Sequence, residues 1–148
     1  AIEIQKKLAK KNPNTYEPKL ATFYSNLAVL YYNTQRFEES ENIYKAAIEI
    51  QKRLAKENQK VYEPDLATYY NNLAVLYYET QQFEKSEEML RAAIEICERL
   101  AKKNPNKYEP SLATYYNNLA NLYNDTQRFK ESEEMQKAAI EIQERLAK

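Results

Sequence analysis

The segment Leu66-Ala67-Thr68-Tyr69-Tyr70-Asn71-Asn72-Leu73-Ala74-Val75-Leu76-Tyr77-Tyr78 occurs three times in this chain. Leu20 to Tyr32 reads LATFYSNLAVLYY and Leu112 to Asn124 reads LATYYNNLANLYN, each copy 46 residues after the last. No residue is inserted or lost between copies, and 30 of 46 positions are identical between 18–63 and 64–109. A fixed period of this size marks stacked repeats, in which each unit buries its apolar face only against its neighbours. Residues 1–12 match the second half of a unit: AIEIQKKLAKKN beside AIEIQKRLAKEN at 47–58. The expected organisation is one domain, 1–148, with a half repeat at 1–17 (a second helix and its loop). Full repeats follow at 18–63 and 64–109, and the last, 110–148, lacks its closing loop.

Within a unit, Pro18 reads as the first helical residue, where a missing N–H costs nothing. Leu20, Tyr24, Leu27, Ala28 and Tyr31 then recur at helical spacing, which predicts a first helix over 18–34. Thr34-Gln35-Arg36 breaks the pattern as a tight turn. A second helix is expected over 37–57, with Phe37, Ser40, Tyr44, Ala47, Ile48, Leu54 and Ala55 inward. Glu49 and Arg53 are spaced as an i,i+4 ion pair on its charged side. Asn58 to Glu63 reads as a polar loop, with Pro13 and Pro105 closing the second helix in two of the three loops. Nothing alternates at period two, so no strand is expected. Ala28 and Ser40 face each other across the turn, where small side chains let two helices approach closely.

Composition excludes much chemistry. The 22 Lys and Arg balance 22 Asp and Glu, whereas a nucleic-acid or anionic-membrane surface needs a basic excess. There is no Gly and no His. A glycine-rich phosphate loop, the commonest general base and the commonest metal ligand are therefore missing. No cofactor, metal or catalytic residue is expected, and an enzyme ranks last among the readings. The one cysteine, Cys97, stands where Gln51 and Gln143 stand, a polar position that suggests partial exposure; it reads as a neutral replacement. Leu27 to Tyr32 is the longest strongly apolar run, too short to span a bilayer, and no signal peptide is visible. The expected location is cytoplasmic. The chain starts in mid-repeat without Met, as a fragment would.

Tyr24, Leu27, Ala28, Tyr31, Phe37, Ser40, Tyr44 and Ala47 stand at the spacing of the tetratricopeptide repeat. The NNLA-x-LY core and long second helix make the chain resemble the kinesin-light-chain subtype of that family. The resemblance covers the whole chain and implies an all-α, right-handed superhelical solenoid of antiparallel helix pairs, seven helices here. Three departures stand out. The period is 46 rather than 34. Gln35, Gln81 and Gln127 occupy the turn position where the family has Gly. Tyr44 becomes Leu90 and Gln136, so an aromatic contact weakens along the array.

The resemblance further implies a concave face lined by the first helices, holding an extended peptide or a partner helix. By position its residues are Thr22, Ser25, Asn26, Val29, Tyr32 and Asn33; then Thr68, Asn71, Asn72, Val75, Tyr78 and Glu79; then Thr114, Asn117, Asn118, Asn121, Asn124 and Asp125. An Asn amide offers donors and an acceptor to a peptide backbone, and Tyr32 and Tyr78 offer flat walls with a polar tip. Asn26, Asn72 and Asn118 stand evenly between binding and bonding from helix to helix; Asn71 and Asn117 are assigned to binding. The Tyr residues at 24, 70 and 116, and at 31, 77 and 123, read as core. Val29, Tyr32, Val75 and Tyr78 give way to Asn121 and Asn124, so a ligand meets an apolar end and a polar end. No basic residues occupy the family's carboxylate-clamp positions. The partner expected is a protein or peptide, with no nucleic acid and no membrane. The alternative is a structural or idealised array with no ligand of its own, whose uncapped terminal helices associate end to end.

Overall fold

The computed structural model describes residues 1–148, the side chain of Asn14 excepted. Its elements are α1 (Ile2–Lys11), α2 (Pro13–Asn33), α3 (Phe37–Glu57), α4 (Gln59–Glu79), α5 (Phe83–Lys103), α6 (Pro105–Asp125) and α7 (Phe129–Ala147). There is no strand among the described residues. The chain divides into two compact units, Ala1–Tyr69 and Tyr70–Lys148. In the first, α1 packs on α2 and α2 on α3; in the second, α5 packs on α6 and α6 on α7.

The first helix of each repeat is longer than its sequence suggests. The segments expected as loops, 58–63 and its equivalents, are helical, and a single residue separates each second helix from the next first helix. That residue is Asn12, Asn58 or Asn104, with φ of −146°, −150° and −144°, outside the helical region. Pro13 and Pro105 are the first residues of the following helices rather than stops for the preceding ones. Asn58 and Asn104 also accept through Oδ1 from the amides of Val61 and Lys107, as N-caps do. Pro18, Pro64 and Pro110 therefore lie inside helices, one turn in. Each removes one helical N–H, and the carbonyl of each accepts the hydroxyl of the Thr four residues on, Thr22, Thr68 or Thr114.

The turn within each pair is made without glycine. Gln35, Gln81 and Gln127 take φ of 61°, 61° and 63°, the left-handed region. Around each, two amide bonds close a Schellman cap: Gln35 N–H to the Tyr32 carbonyl at 3.0 Å and Arg36 N–H to the Tyr31 carbonyl at 2.8 Å, repeated at the other two turns. Beyond the turn, Ser40, Ser86 and Ser132 are buried, and their hydroxyls donate to the carbonyls of Ala28, Ala74 and Ala120 at 2.7, 2.8 and 2.9 Å. The small pair expected at the helix crossing is thus also joined by a hydrogen bond from side chain to backbone.

Two further expectations are corrected. Cys97 is buried, not partly exposed. Its repeat position is polar because Gln51 there donates Nε2 to the Tyr62 carbonyl at 3.0 Å; Cys97 keeps the contact weakly, Sγ to the Tyr108 carbonyl at 3.7 Å. Burial, then Glu98, pushes the thiol up to about 11, the opposite of what activates a nucleophile. Arg53 reaches across to Glu17 on α2 at 2.8 Å rather than along its own helix to Glu49, and Arg145 does the same to Glu109 at 2.7 Å.

Candidate functional site

In the second unit, Asn71 to Glu79 of α4 lie beside Asn117 to Asp125 of α6. Two side-chain bonds join these segments. Asn118 Nδ2 donates to Asn71 Oδ1 at 2.9 Å, and the Tyr78 hydroxyl donates to the Asp125 carboxylate. That bond, with burial second, raises the Tyr78 pKa above its ordinary value. The Tyr78 ring also meets Phe83 edge-on, centroids 5.9 Å apart. Helix-to-helix bonding therefore engages Asn118, and with it Asn71, which the family resemblance assigns to ligand contact. Asn72 and Val75 are half-buried and Glu79 is exposed. Asn117, Asn121 and Asn124 are all exposed. They succeed one another at i, i+4 and i+7 and so share one side of α6.

The first unit places its residues of this set on α2. Asn26, Val29 and Asn33 are exposed, Tyr32 is half-buried, and Ser25 is buried and so withdrawn from any ligand. Tyr32 packs on Phe37 as Tyr78 packs on Phe83, with centroids 5.8 Å apart. In the third repeat Asn124 replaces that tyrosine, and Phe129 is left 61% exposed. Leu30, next to Val29, is a large exposed apolar residue that periodicity did not single out. Its equivalents Leu76 and Leu122 are buried, so residue type carried no warning.

Sequence reasoning also missed a polar network on the other side of the second unit. Glu87 on α5 accepts from Arg128 Nη1 at 2.8 Å, from Arg91 Nη2 at 2.9 Å and from the Tyr123 hydroxyl at 3.0 Å. The Arg128 guanidinium lies 4.2 Å from the Tyr123 ring centroid and also pairs with Glu131. Burial pushes the Glu87 carboxyl up, but the bonds from Arg128, Arg91 and Tyr123 outweigh it and hold it below its ordinary value. Burial, then the bond to Glu87, pushes Tyr123 up to about 12. Arg36 repeats part of this in the first unit, stacked 4.3 Å from the Tyr31 ring and paired with Glu39. Gln82 stands at that position in the middle repeat, and Lys85 Nζ takes over above the Tyr77 ring at 5.6 Å. The residues of this network pair with one another, which suits them to holding helices together. No cluster of His, Cys, Asp or Glu able to hold a metal occurs among the described residues. No described helix is long and apolar enough to cross a membrane.

The family described as Tetratricopeptide repeat matches residues 19–99 and again 65–145. No curated protein sequence matches the chain. Among solved structures, BtubC (BKLC) from P. vanneervenii matches with a TM-score of 0.81 at 27% identity, over 99% of this chain and 55% of that one. This chain therefore spans about half the length of that protein. A putative kinesin light chain from Podospora anserina, with nearly identical TPR-like repeats, matches with a TM-score of 0.70 at 20% identity, over 97% of this chain and 66% of that one. The N-terminal domain of stress-induced protein-1 (STI-1) from C. elegans matches with a TM-score of 0.66 at 18% identity, over 85% and 86%. The last two likenesses show the fold alone, an all-α solenoid of antiparallel helix pairs.

Proposed function

The chain belongs to the tetratricopeptide repeat family, and on that premise we propose that it takes an extended peptide or a partner helix on its first helices, in the second unit along the face shared by α4 and α6. Repeats of this family generally serve as protein–protein interaction scaffolds, and the proposal names the face. The observation that carries it is the row of exposed amides at Asn117, Asn121 and Asn124. Their donors and acceptors suit a peptide backbone without reading its side chains. Beside them, the Asn71–Asn118 and Tyr78–Asp125 bonds hold the supporting helices in place, so little ordering is left for binding to supply. Glu79 and Asp125 tilt the charge of this face towards acid. A partner that is not itself acidic fits best. The balance of basic and acidic side chains gives no ground for a nucleic-acid partner, and the reading is of a non-catalytic, cytoplasmic module.

Peptide-display selection against the chain tests this, repeated with Asn117→Ala and Asn121→Ala together. Both positions are exposed, so the helix content should not change. Enriched peptides should share a motif and lose at least tenfold in affinity for the double variant. No enrichment, or equal binding by the variant, overturns the proposal.

A further inference from the structure

The second unit carries a groove that the amide row does not use. Its walls are α5 and α7, and α6, packed on both, closes its bottom. It encloses about 520 Å³. Ile94 of α5, Leu119 of α6 and Met135 of α7 line it, with the rings of Tyr116 and Tyr123. Tyr116, Leu119 and Tyr123 recur at helical spacing on a different side of α6 from Asn117, Asn121 and Asn124. Tyr116 and Met135 are half-buried, so apolar surface stays open in the groove. A neighbouring repeat does not close it. Glu88 and Met89 stand on α5 at the register of Glu134 and Met135, have a repeat after them, and are likewise exposed and half-buried. The groove thus belongs to the inside of the array and not to its ends.

Charged side chains rim the groove: Arg91, Glu95 and Glu98 on α5, and Glu131 and Glu134 on α7. Glu95 and Glu98 are three residues apart, as are Glu131 and Glu134, so each pair runs along one side of its helix, one pair to each wall. Arg91 is held by Glu87, and Glu131 by Arg128. Glu98 accepts the Tyr116 hydroxyl, a neutral donor that leaves its charge in place. Glu95 and Glu134 are exposed and form no ion pair among the described residues. One repeat earlier, the same register holds Lys45, Glu49, Lys52, Lys85 and Glu88, three cations against two anions. Here one cation stands against four anions, so the acidic rim is particular to this groove.

We propose that this groove takes a basic amphipathic helix of another protein, with an apolar residue seated over Ile94, Leu119 and Met135 and lysine or arginine side chains reaching Glu95 and Glu98 on one wall and Glu134 on the other. Both parts of the contact are needed. Exposed ion pairs are each worth little, so the carboxylates select and orient the partner while apolar burial holds it. Apolar surface framed by one sign of charge asks for the matching pattern in the partner, an apolar stripe at helical spacing flanked by cations, which is how a helix is read in a groove. The Tyr116 ring adds a face that attracts a cation, whereas the Tyr123 ring already has Arg128 over it at 4.2 Å. The inference stands apart from peptide binding on the amide row and does not rest on it.

Fluorescence anisotropy of the full chain with a labelled peptide of leucine and lysine tests this. The peptide has about 18 residues, long enough to hold a helix, with leucine at helical spacing. It should bind saturably, and less tightly as salt is raised. Glu95→Gln with Glu134→Gln, both at exposed positions, should lose at least tenfold in affinity at unchanged helicity. Glu84→Gln with Glu133→Gln takes as much charge from the same two helices outside the groove and should bind as the parent does. Met135→Glu adds an acid but removes the apolar seat, and should bind at least threefold more weakly. No saturable binding, the same affinity in both glutamine pairs, or equal or tighter binding by Met135→Glu overturns the proposal, the last because charge alone would then be the attraction. So does a lysine–serine peptide that binds as tightly as the leucine–lysine one. Displacement of the peptide by an equal concentration of spermine also overturns it, since that would mark a site for a small amine.

Discussion

Replacing Gln35, Gln81 and Gln127 together by glycine tests whether the turns hold strain. All three residues sit at φ near 60°, where a Cβ crowds the following carbonyl at a cost of about 1–2 kcal/mol. Glycine escapes that cost but carries more freedom in the unfolded chain, which takes back about 0.5–1 kcal/mol. The net gain is roughly 0.5–1 kcal/mol at each turn. The side chains are exposed, so little else is lost. The turns lie in different repeats, so their effects should add to about 1.5–3 kcal/mol. With a urea slope of about 1–3 kcal/mol/M, the midpoint followed by circular dichroism should rise by roughly 1 M. The triple alanine variant separates backbone from side chain, because it keeps the Cβ and should stay within about 0.5 kcal/mol of the parent. A glycine variant no more stable than the alanine variant would mean that the turns carry no such strain, and the argument from φ would fail.

Alkaline pH should unfold the chain. Burial lifts the Tyr44 and Tyr123 hydroxyls to about 12 and raises those of Tyr69, Tyr70 and Tyr116. Groups raised on folding stabilise fully below their unfolded value near 10 and lose that contribution as pH rises through the folded value. Urea midpoints should therefore fall between pH 10 and 12, and Tyr44→Phe should abolish a share of about 2–3 kcal/mol of that fall; an equally steep fall in the variant would contradict this. Cys97→Gln should gain about 0.5–1 kcal/mol by restoring the bond that Gln51 makes to the next helix. In the parent, the thiol should react with Ellman's reagent only as fast as the chain opens. Asn124→Tyr should give Phe129 the partner that Tyr78 gives Phe83, worth about 0.5–1.5 kcal/mol; fluorescence-monitored unfolding would expose a neutral or harmful effect.

Period and periodicity were enough for the helix pairs, because each unit repeats the same buried residues: Tyr24, Ala28, Ser40 and Ala47 lie where their spacing puts them. Proline misled. Pro64 reads as a helix start, yet Asn58 makes the break, because a proline one turn in costs one bond while an extended Asn ends the helix outright. Burial of Cys97 was hidden because Gln51 looks like a surface residue until its carbonyl partner on the next helix is seen. The candidate face was harder to read. Asn71 meets Asn118 and Tyr78 meets Asp125, each 47 residues on, one more than the period. A comparison of equivalent positions cannot pair them. Nor can it separate Leu30 from Leu122, identical in type and opposite in exposure. Those differences come from which neighbour is present.

The one-residue breaks at Asn58 and Asn104 bear on how such a chain can change length. Each second helix passes into the next first helix through the same break and the same bonded positions, so Glu63 could be joined to Pro110 and a helix would still begin and end where it now does. A genetic crossover displaced by one period adds or removes a whole unit without asking for any new packing. A crossover displaced by any other distance puts the Ser–Ala contact and the left-handed turn out of step. Array length is thus free to vary in steps of 46 residues and closed to every other step.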